Sequence, residues 1–121
     1  MDKHNSNSEK KWVVYLIRCS DNSLYCGISN DVRRRLIEHN SGKGSKYTRS
    51  RRPLELIDFS PELTKSEALK LEYRIKKMPA EQKIPGLKQA QREILIQYNL
   101  LTLRRDIKAL VKLIDKLLKE I

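Results

Sequence analysis

An unbroken apolar run near the start of the chain, from Trp12 to Ile17, constrains the fold more than any other feature of the sequence. Nearly every residue in it is β-branched or aromatic. The odd-numbered and the even-numbered positions are both apolar, which is typical of a strand buried on both faces. Asp21, Asn22 and Ser23 then supply turn chemistry, and residues 24–28 form a second strand-like run. The sequence therefore predicts a β-hairpin whose first strand is central in a sheet.

Helix signals follow the hairpin. Asp31 is a good N-cap for a helix over about residues 32–39, which residues 40–42 (Asn-Ser-Gly) terminate. Residues 54–59 predict a third strand. Thr64 with Glu67 fits a capping box that opens a helix over about residues 65–77, before Pro79. Strands and helices together predict an α+β domain.

The C-terminal residues carry a heptad pattern. Apolar residues alternate spacings of three and four at Leu100, Leu103, Ile107, Leu110, Ile114, Leu117 and Ile121. Isoleucine at most a positions with leucine at d favours parallel two-stranded coiled coils. Val111, Leu113 and Leu118 widen the stripe beyond a narrow seam. We expect a homodimer through residues 100–121, and the alternative is a helix packed back on the domain or in an antiparallel bundle.

The net charge indicates the partner. Lysine and arginine number 26 against 15 aspartates and glutamates, which gives +11 and favours a polyanion. Between Gly42 and Pro53 the cations have no acidic residue among them: Lys43, Lys46, Arg49, Arg51 and Arg52. Glycines and small polar residues in this stretch suit a flexible strip that follows a phosphate backbone. Nucleic acid is the expected partner, although small basic proteins often carry only solvated charge.

The hairpin decides whether its two tyrosines share a site. A three-residue loop at residues 21–23 places Cys19 opposite Tyr25, so that Tyr15, Tyr25 and Gly27 lie on one side of the sheet. A two-residue loop would place the tyrosines on opposite sides, and core packing is the ordinary role for each. A glycine inside a strand also suggests the close approach of another group, here at Gly27.

Three polar residues occupy notable helical positions. Glu72 borders the predicted apolar stripe of Ala68, Leu71, Ile75 and Met78. A salt bridge to a neighbouring arginine, or a stripe centred instead on Leu69 and Tyr73, would also account for this position. Arg35 and His39 lie four residues apart on one helix face. Arg35 could belong to a solvated basic run, and His39 could be a cation at the helix end.

Together these residues resemble the GIY-YIG nuclease superfamily, over roughly residues 11–83. The two motifs of the name correspond to Val13-Val14-Tyr15 and Tyr25-Cys26-Gly27. The pattern continues with Ser29-Asn30-Asp31, Arg35, His39-Asn40 and Glu72. Residues 42–48 and 72–76 are most similar to the small stand-alone bacterial proteins of the group. Each motif is weak alone, whereas the ordered set at compatible spacings is specific.

The resemblance implies a three-stranded antiparallel sheet flanked by helices, and a metal-dependent endonuclease. Glu72 would bind a single Mg²⁺ or Mn²⁺ completed by water and the substrate phosphate. Tyr15, assisted by His39, would be the general base or would position water. Tyr25 would position the attacked phosphate, and Arg35 would neutralise charge on it. We expect DNA rather than RNA as the substrate, and selection by its structure rather than its sequence, because no base-reading module is evident in the sequence.

The sequence departs from the family pattern in a few places. Valines precede Tyr15 and a cysteine precedes Gly27, which alters packing more than chemistry. A polar residue that family nucleases often place after the glutamate helix has Lys83 as its nearest candidate. A non-catalytic nucleic-acid-binding adaptor that self-associates through its tail is the alternative function, and a purely structural coiled-coil protein ranks third.

The expected organisation has three parts: a disordered arm over residues 1–10, a nuclease-like domain over residues 11–84 and a helical tail over residues 85–121. His4 lies in the arm and has no expected role. No stretch is apolar enough to span a membrane or to form a secretory signal, so we expect a cytoplasmic protein. In such a protein Cys19 and Cys26 are expected to be buried free thiols.

Overall fold

A computed structural model describes residues 9–121, so residues 1–8 of the predicted arm lie outside the described part. In chain order the elements are β1 Val13–Arg18, β2 Leu24–Ser29, α1 Val32–Asn40, α2 Lys46–Arg49, β3 Glu55–Phe59, α3 Lys65–Lys76 and α4 Ala80–Lys119. The α+β class predicted from the sequence is confirmed.

The sheet has three strands in the order β2-β1-β3, and both strand pairs are antiparallel. Strand β1 is therefore central, as its apolar run predicted, and Val13 to Ile17 are all buried. A strand that is paired on both edges and covered on both faces needs apolar side chains of both parities. Strand β2 lies at an edge of the sheet.

The hairpin register differs from the expectation by two residues. Ile17, not Cys19, lies opposite Tyr25. The loop still has three residues, but they are residues 20–22: the amide of Cys19 donates to the carbonyl of Ser23 at 2.8 Å. Asn22 takes the positive φ of 67° that such a loop requires at its last position, and asparagine tolerates this backbone. A shift of two preserves the faces, so Tyr15, Tyr25 and Gly27 do share one side.

The helix starts follow the predicted capping chemistry. The Asp31 side chain accepts from the amide of Arg34 at 3.1 Å at the start of α1. At the start of α3, Thr64 and Glu67 form the reciprocal capping box. Helix α2 was not predicted. Ser45 caps it by accepting from the amide of Thr48, so part of the segment expected to be a flexible strip is helical.

Each face of the sheet is covered by a different helix. On one face Tyr15, Ile17, Cys19 and Leu54 form a buried cluster, against which Tyr25, Val32, Leu36 and Leu56 pack. Helix α3 contacts β2 and β1 and buries Ala68, Leu71 and Ile75. Cys19 and Cys26 are both buried free thiols.

The chain divides into two compact units, one ending at Gln91 and the other comprising Arg92–Ile121. Helix α4 begins at Ala80, earlier than the tail boundary expected from the sequence, and Pro85 lies inside it. In the first unit Leu87 and Ala90 are buried, and the Gln91 side chain donates to the carbonyl of Phe59 at 2.9 Å.

The second unit carries the heptad. Its a and d side chains are exposed, with fractions from 47% at Ile114 to 60% at Leu100 and 99% at Ile121. Among the residues that the structure describes, no helix combines the length and hydropathy that crossing a membrane would need.

Candidate active site

A tyrosine of the central strand and a histidine of the first helix form a buried hydrogen-bonded pair. The hydroxyl oxygen of Tyr15 lies 3.0 Å from Nε2 of His39. Their side chains are almost completely enclosed, at 1% and 0% exposure. Strand β1 presents Tyr15 on the face that α1 covers, and His39 is the penultimate residue of that helix. A polar pair this deep is tolerated because each group satisfies the other.

Two further rings adjoin the pair. The Tyr25 ring lies 5.3 Å from the imidazole of His39 in an edge contact, and 6.4 Å from the Tyr15 ring. On its outer side Tyr47 stacks on Tyr25, with centroids 6.2 Å apart and planes 23° apart. Tyr47 is not among the site residues predicted from the sequence, because nothing in a basic loop indicates that it folds over the hairpin.

Gly27 makes room for the Tyr15 hydroxyl. A Cβ at this position would collide with the hydroxyl oxygen and with Cζ of the Tyr15 ring. Gly27 lies directly opposite Tyr15 in the β1–β2 register. The close approach that a glycine in this strand predicted is therefore made by the catalytic candidate itself.

Arg35 lies one helical turn before His39. Its guanidinium donates to the Glu38 carboxylate at 2.9 Å, and the side chain is 32% exposed. Burial raises the pKa of Tyr15 to about 12, and a hydrogen bond from Arg35 opposes that rise. Arg33 and Arg34 are exposed, so a solvated basic run describes those two and not Arg35. Glu38, which anchors Arg35, was missed by the sequence reasoning.

His39 is held neutral. Burial lowers its pKa from the ordinary value of 6.5, the charge of Arg35 lowers it further, and the carboxylate of Glu38 opposes both. The imidazole is therefore unprotonated at one nitrogen at neutral pH. A helix-terminal cation, the alternative considered from the sequence, does not fit a side chain with no exposed surface.

Glu72 lies on α3, at the border of its buried stripe, as its position predicted. Ala68, Leu71 and Ile75 are buried, whereas Leu69 and Tyr73 are 46% and 61% exposed, so the alternative stripe is wrong. The Glu72 carboxylate is 3.6 Å from Nζ of Lys76, and the side chain is 18% exposed. The sequence allowed for such an ion pair, although its partner is a lysine.

Glu72 lies close enough to Cys26 of β2 for its charge to change the pKa of the thiol. The pKa of Cys26 is raised to about 12, first by burial and next by the charge of Glu72. Cys26 alternates with Tyr25 and Gly27 along β2, so its side chain points to the opposite face. Within residues 9–121 no hydrogen bond or ion pair joins Glu72 to Tyr15 or His39.

A cleft at the edge strand β2 is lined by neighbours of the Tyr15–His39 pair and by a neighbour of Glu72. Its volume is about 320 Å³, and it is lined by Leu24, Tyr25, Cys26, Tyr47, Lys76 and Lys83. Tyr25 and Tyr47 belong to the tyrosine face, and Lys76 is the ion-pair partner of Glu72. Lys83 donates to the carbonyls of Ile75 and Lys76 at 3.0 and 2.9 Å, so its ammonium group caps the end of α3.

Comparison with known proteins gives the same family that the motifs resemble. The model of the GIY-YIG catalytic domain matches residues 11–84, more than half of the chain. The protein belongs to the GIY-YIG family. Its domain is thus of the nuclease type, and the residues with which the sequence resembles the family all lie within the matched segment.

The related GIY-YIG chains are small bacterial proteins. A UPF0213 protein of Nitratidesulfovibrio vulgaris is 45% identical over 83 residues, which is 69% of this chain and 76% of that one. A UPF0213 protein of Staphylococcus epidermidis is 50% identical over 84 residues, 69% of this chain and 93% of that one. A protein from E. faecalis solved by solution NMR is 40% identical, with a TM-score of 0.48 over 68% of this chain and 88% of that one.

The donor set of this GIY-YIG domain suits one kind of cation only. The described residues contain no group of three or more His, Cys, Asp or Glu side chains placed to hold a metal ion. Glu72 alone, beside an open cleft, fits a hard cation that keeps most of its water ligands, as Mg²⁺ does. It does not fit an ion that requires a cage of protein ligands, such as structural zinc.

The basic segment of the GIY-YIG domain divides into two groups. Lys43, Lys46 and Arg49 are exposed and form no ion pair with any of residues 9–121. The Arg51 guanidinium is bound to Asp21 at 3.0 Å and lies 3.8 Å above the Tyr47 ring. Arg52 donates to the carbonyl of Arg49 at 3.0 Å. The first group presents its charge to solvent, whereas the second is used within the fold.

Proposed function

We propose that the protein is an endonuclease that uses Mg²⁺ or Mn²⁺ to hydrolyse phosphodiester bonds, in DNA rather than RNA. The observation that carries the proposal is the buried Tyr15–His39 pair, 3.0 Å apart beside Arg35. Core packing alone would not require a neutral imidazole facing a phenol at the centre of the sheet. We expect selection by substrate shape, because residues 9–121 present a small basic surface and no recognisable base-reading module.

The pKa values define how the pair works. With its pKa raised to about 12, the Tyr15 phenol keeps its proton at neutral pH and is not a free base. His39 is neutral and can accept a proton. Tyr15 therefore acts as a relay, in which the proton of the attacking water passes to the phenol oxygen while the phenol proton passes to Nε2 of His39.

Arg35 and Tyr25 handle the phosphate in this proposal. The Arg35 side chain is one-third exposed, and Glu38 orients its guanidinium through the 2.9 Å bond. Its planar fork matches the oxygens of a phosphate group, and its charge persists at every working pH. Tyr25 lines the cleft, where its ring, fixed between His39 and Tyr47, positions the attacked group.

Glu72 is the proposed ligand of the metal ion. It would hold a single Mg²⁺ or Mn²⁺ at the cleft edge, and the bound ion would stabilise charge on the departing 3′ oxygen. The 3.6 Å ion pair with Lys76, which lines the cleft, orients the carboxylate toward that edge. Exposed Lys43, Lys46 and Arg49 are proposed to contact the backbone of the nucleic acid, with smaller contributions from Arg51 and Arg52.

The test is cleavage of labelled single-stranded, duplex and branched DNA and RNA in Mg²⁺, Mn²⁺ or EDTA. Glu72→Gln is compared with Glu81→Gln, which removes an exposed carboxylate from the next helix. We expect metal-dependent cleavage that Glu72→Gln abolishes and Glu81→Gln retains. Equal binding by all variants in EDTA with no cleavage of any substrate would refute the nuclease and leave the nucleic-acid-binding adaptor.

We also propose that residues 100–121 pair with a second copy of the chain. The heptad side chains from Leu100 to Leu117 are about half exposed in the single chain, and isoleucine at a with leucine at d suits a two-stranded partner. Ile107→Lys with Ile114→Lys places two charges in the stripe, and Ala109→Lys places one outside it. Sedimentation should give a dimer for the parent and Ala109→Lys and a monomer for the double variant. A parent chain that is monomeric at all concentrations would contradict this proposal.

A further inference from the structure

The Tyr15–His39 pair continues into a third buried side chain. Nδ1 of His39 lies 2.9 Å from Oγ1 of Thr48, on the side of the imidazole opposite Tyr15. Thr48, like His39, has 0% exposure. A line of three hydrogen-bonding groups therefore runs from β1 through the end of α1 to α2, and none of the three side chains has more than 1% of its surface exposed.

The surroundings of Thr48 determine the direction of these hydrogen bonds. Its hydroxyl has one proton, and the backbone carbonyl of Ser45 lies 3.1 Å from Oγ1 as the acceptor. A carbonyl oxygen can only accept, so a hydrogen bond at this contact takes the Thr48 proton, and the same carbonyl also accepts from the Arg49 amide at 3.1 Å. Oγ1 therefore has a lone pair directed at Nδ1 and accepts a hydrogen bond from it, so Nδ1 must carry the imidazole proton. The second oxygen near Oγ1, Oγ of Ser45 at 3.2 Å, can donate to its remaining lone pair.

A neutral imidazole has one proton, so the assignment at Nδ1 fixes the other nitrogen. Nε2 is left with its lone pair directed at the Tyr15 hydroxyl, 3.0 Å away, and the phenol donates to it. The opposite tautomer would point an Nε2 proton at Tyr15 and leave Nδ1 and the Ser45 carbonyl oxygen competing for the single hydroxyl proton of Thr48. It would also leave the Ser45 carbonyl without its hydroxyl partner.

The backbone around Thr48 is built to hold this contact. Ser45 caps α2 and accepts from the Thr48 amide at 3.3 Å. A Cβ at Gly44 would collide with Nδ1 of His39 and would meet Oγ1 of Thr48 at 2.7 Å. Only glycine lets the chain pass this close to the hydrogen bond. The basic segment therefore supports His39 from behind as well as presenting cations.

We propose that Thr48 is a positioning residue that fixes His39 in the Nδ1-protonated tautomer, so that Nε2 accepts the proton of Tyr15. The inference rests on the proposed nuclease function for its catalytic consequence, and on the hydrogen-bond geometry alone for the tautomer. Thr48 does not touch the phosphate; it acts through His39. Its role parallels that of any group which orients a catalytic imidazole from the far side.

The first test reads the tautomer directly. The chain has two histidines, so the full-length chain with His4→Gln leaves His39 as the single imidazole. Nitrogen NMR of the histidine-labelled chain at neutral pH distinguishes the protonated ring nitrogen from the bare one. We expect the proton on Nδ1. Thr48→Val removes the hydroxyl at nearly constant volume and should shift the population toward protonated Nε2, whereas Thr48→Ser keeps the hydroxyl and should retain the parent spectrum.

The second test measures the cleavage kinetics of the parent chain, Thr48→Val and Thr48→Ser. Thr48→Val should lower kcat at least about tenfold with KM within about twofold, and Thr48→Ser should recover most of the loss. Thermal unfolding and amide spectra of each variant separate misfolding from mispositioning. A parent chain with its proton on Nε2, or a Thr48→Val spectrum identical to the parent's, overturns the inference. If the parent cuts no substrate, the proposed function fails, while the spectra still decide the tautomer.

Discussion

The hydroxyl oxygen of Tyr15 and Nε2 of His39 are 3.0 Å apart across 24 residues of chain. The bond joins the centre of the sheet to the end of α1, and neither side chain has more than 1% of its surface exposed. Because the surrounding core fixes both groups, the proton donor and acceptor are aligned before any substrate arrives. Such preorganisation is where an enzyme gains most from a rigid scaffold.

Removing either member of this pair should remove most of the cleavage rate. Tyr15→Phe and His39→Gln are each expected to lower kcat by at least about 100-fold, the usual range for a proton-transfer group. Since the two act as one relay, the double variant should lose little more than either single one. Single-turnover cleavage rates check this. Losses that multiply in the double variant would show that the two residues act independently.

The ionisation of His39 should set the acidic limb of the pH–rate profile. Its pKa lies below 6.5 and the proton acceptor is the neutral form, so the rate should rise with pH through that pKa and be level at pH 7. The charged or titratable groups around it are Arg35 and Glu38 on α1, Tyr15 on β1 and Tyr25 on β2. The Glu38 carboxylate raises the pKa of His39 and the Arg35 charge lowers it.

Glu38→Gln should therefore move that limb to lower pH. The substitution removes the negative charge that favours the imidazolium, and the glutamine can still accept a hydrogen bond from Arg35. Glu55→Gln, at an exposed position of β3, is the matched control and should leave the profile unchanged. The profile of kcat/KM and an NMR titration of His39 give independent readings. A limb that moves to higher pH would contradict the assigned electrostatics.

The sequence predicted the strands and capped helices because their signals are local. The apolar run that predicts β1 lies within the strand itself. The capping residues Asp31, Thr64 and Glu67 bond to groups only three residues away in the chain. The hairpin register was wrong by two because Asn22, rather than Ser23, ends the loop. The shared face of Tyr15 and Tyr25 survived that error, because side chains alternate with a period of two.

The parts of the site that the sequence did not predict depend on long-range packing. Thr48 and Tyr47 occur in a segment whose glycines and cations indicate a loop, and their contacts with His39 and Tyr25 exist only after α2 folds against the hairpin. The helical position of Glu72 was readable from its neighbours. Its location across the edge of β2 from the tyrosines was not, because it depends on which face α3 covers.

Gly27 should be far less replaceable than Gly86. A Cβ at Gly27 meets the Tyr15 hydroxyl in the packed core, where a shift would break the bond to His39. At Gly86 a Cβ meets the end of the flexible Met78 side chain, and alanine gains helix propensity of about 1 kcal/mol. Gly27→Ala should lower both the melting temperature and the cleavage rate, and Gly86→Ala should lower neither. An unchanged rate in Gly27→Ala would show that the Tyr15 position is adaptable.

The exposed cations of the basic segment should contribute to affinity in a salt-dependent way. Lys43→Ala, Lys46→Ala and Arg49→Ala together should weaken binding to all nucleic acids and reduce the slope of log affinity against log salt by about 2 to 3, since each phosphate contact releases about one counterion. Arg51→Ala is the contrasting variant. Its guanidinium is bound to Asp21 and to the Tyr47 carbonyl and stacks on the Tyr47 ring.

We expect Arg51→Ala to lower the melting temperature and to change the slope by less than one, because the fold already uses most of its charge. Fluorescence anisotropy in EDTA at several salt concentrations measures the slope without cleavage. Equal slopes for Arg51→Ala and the triple variant would mean that the ion pair with Asp21 opens on binding, and that Arg51 leaves Tyr47 to contact a phosphate. An unchanged slope in the triple variant would move the nucleic-acid surface away from α2 altogether.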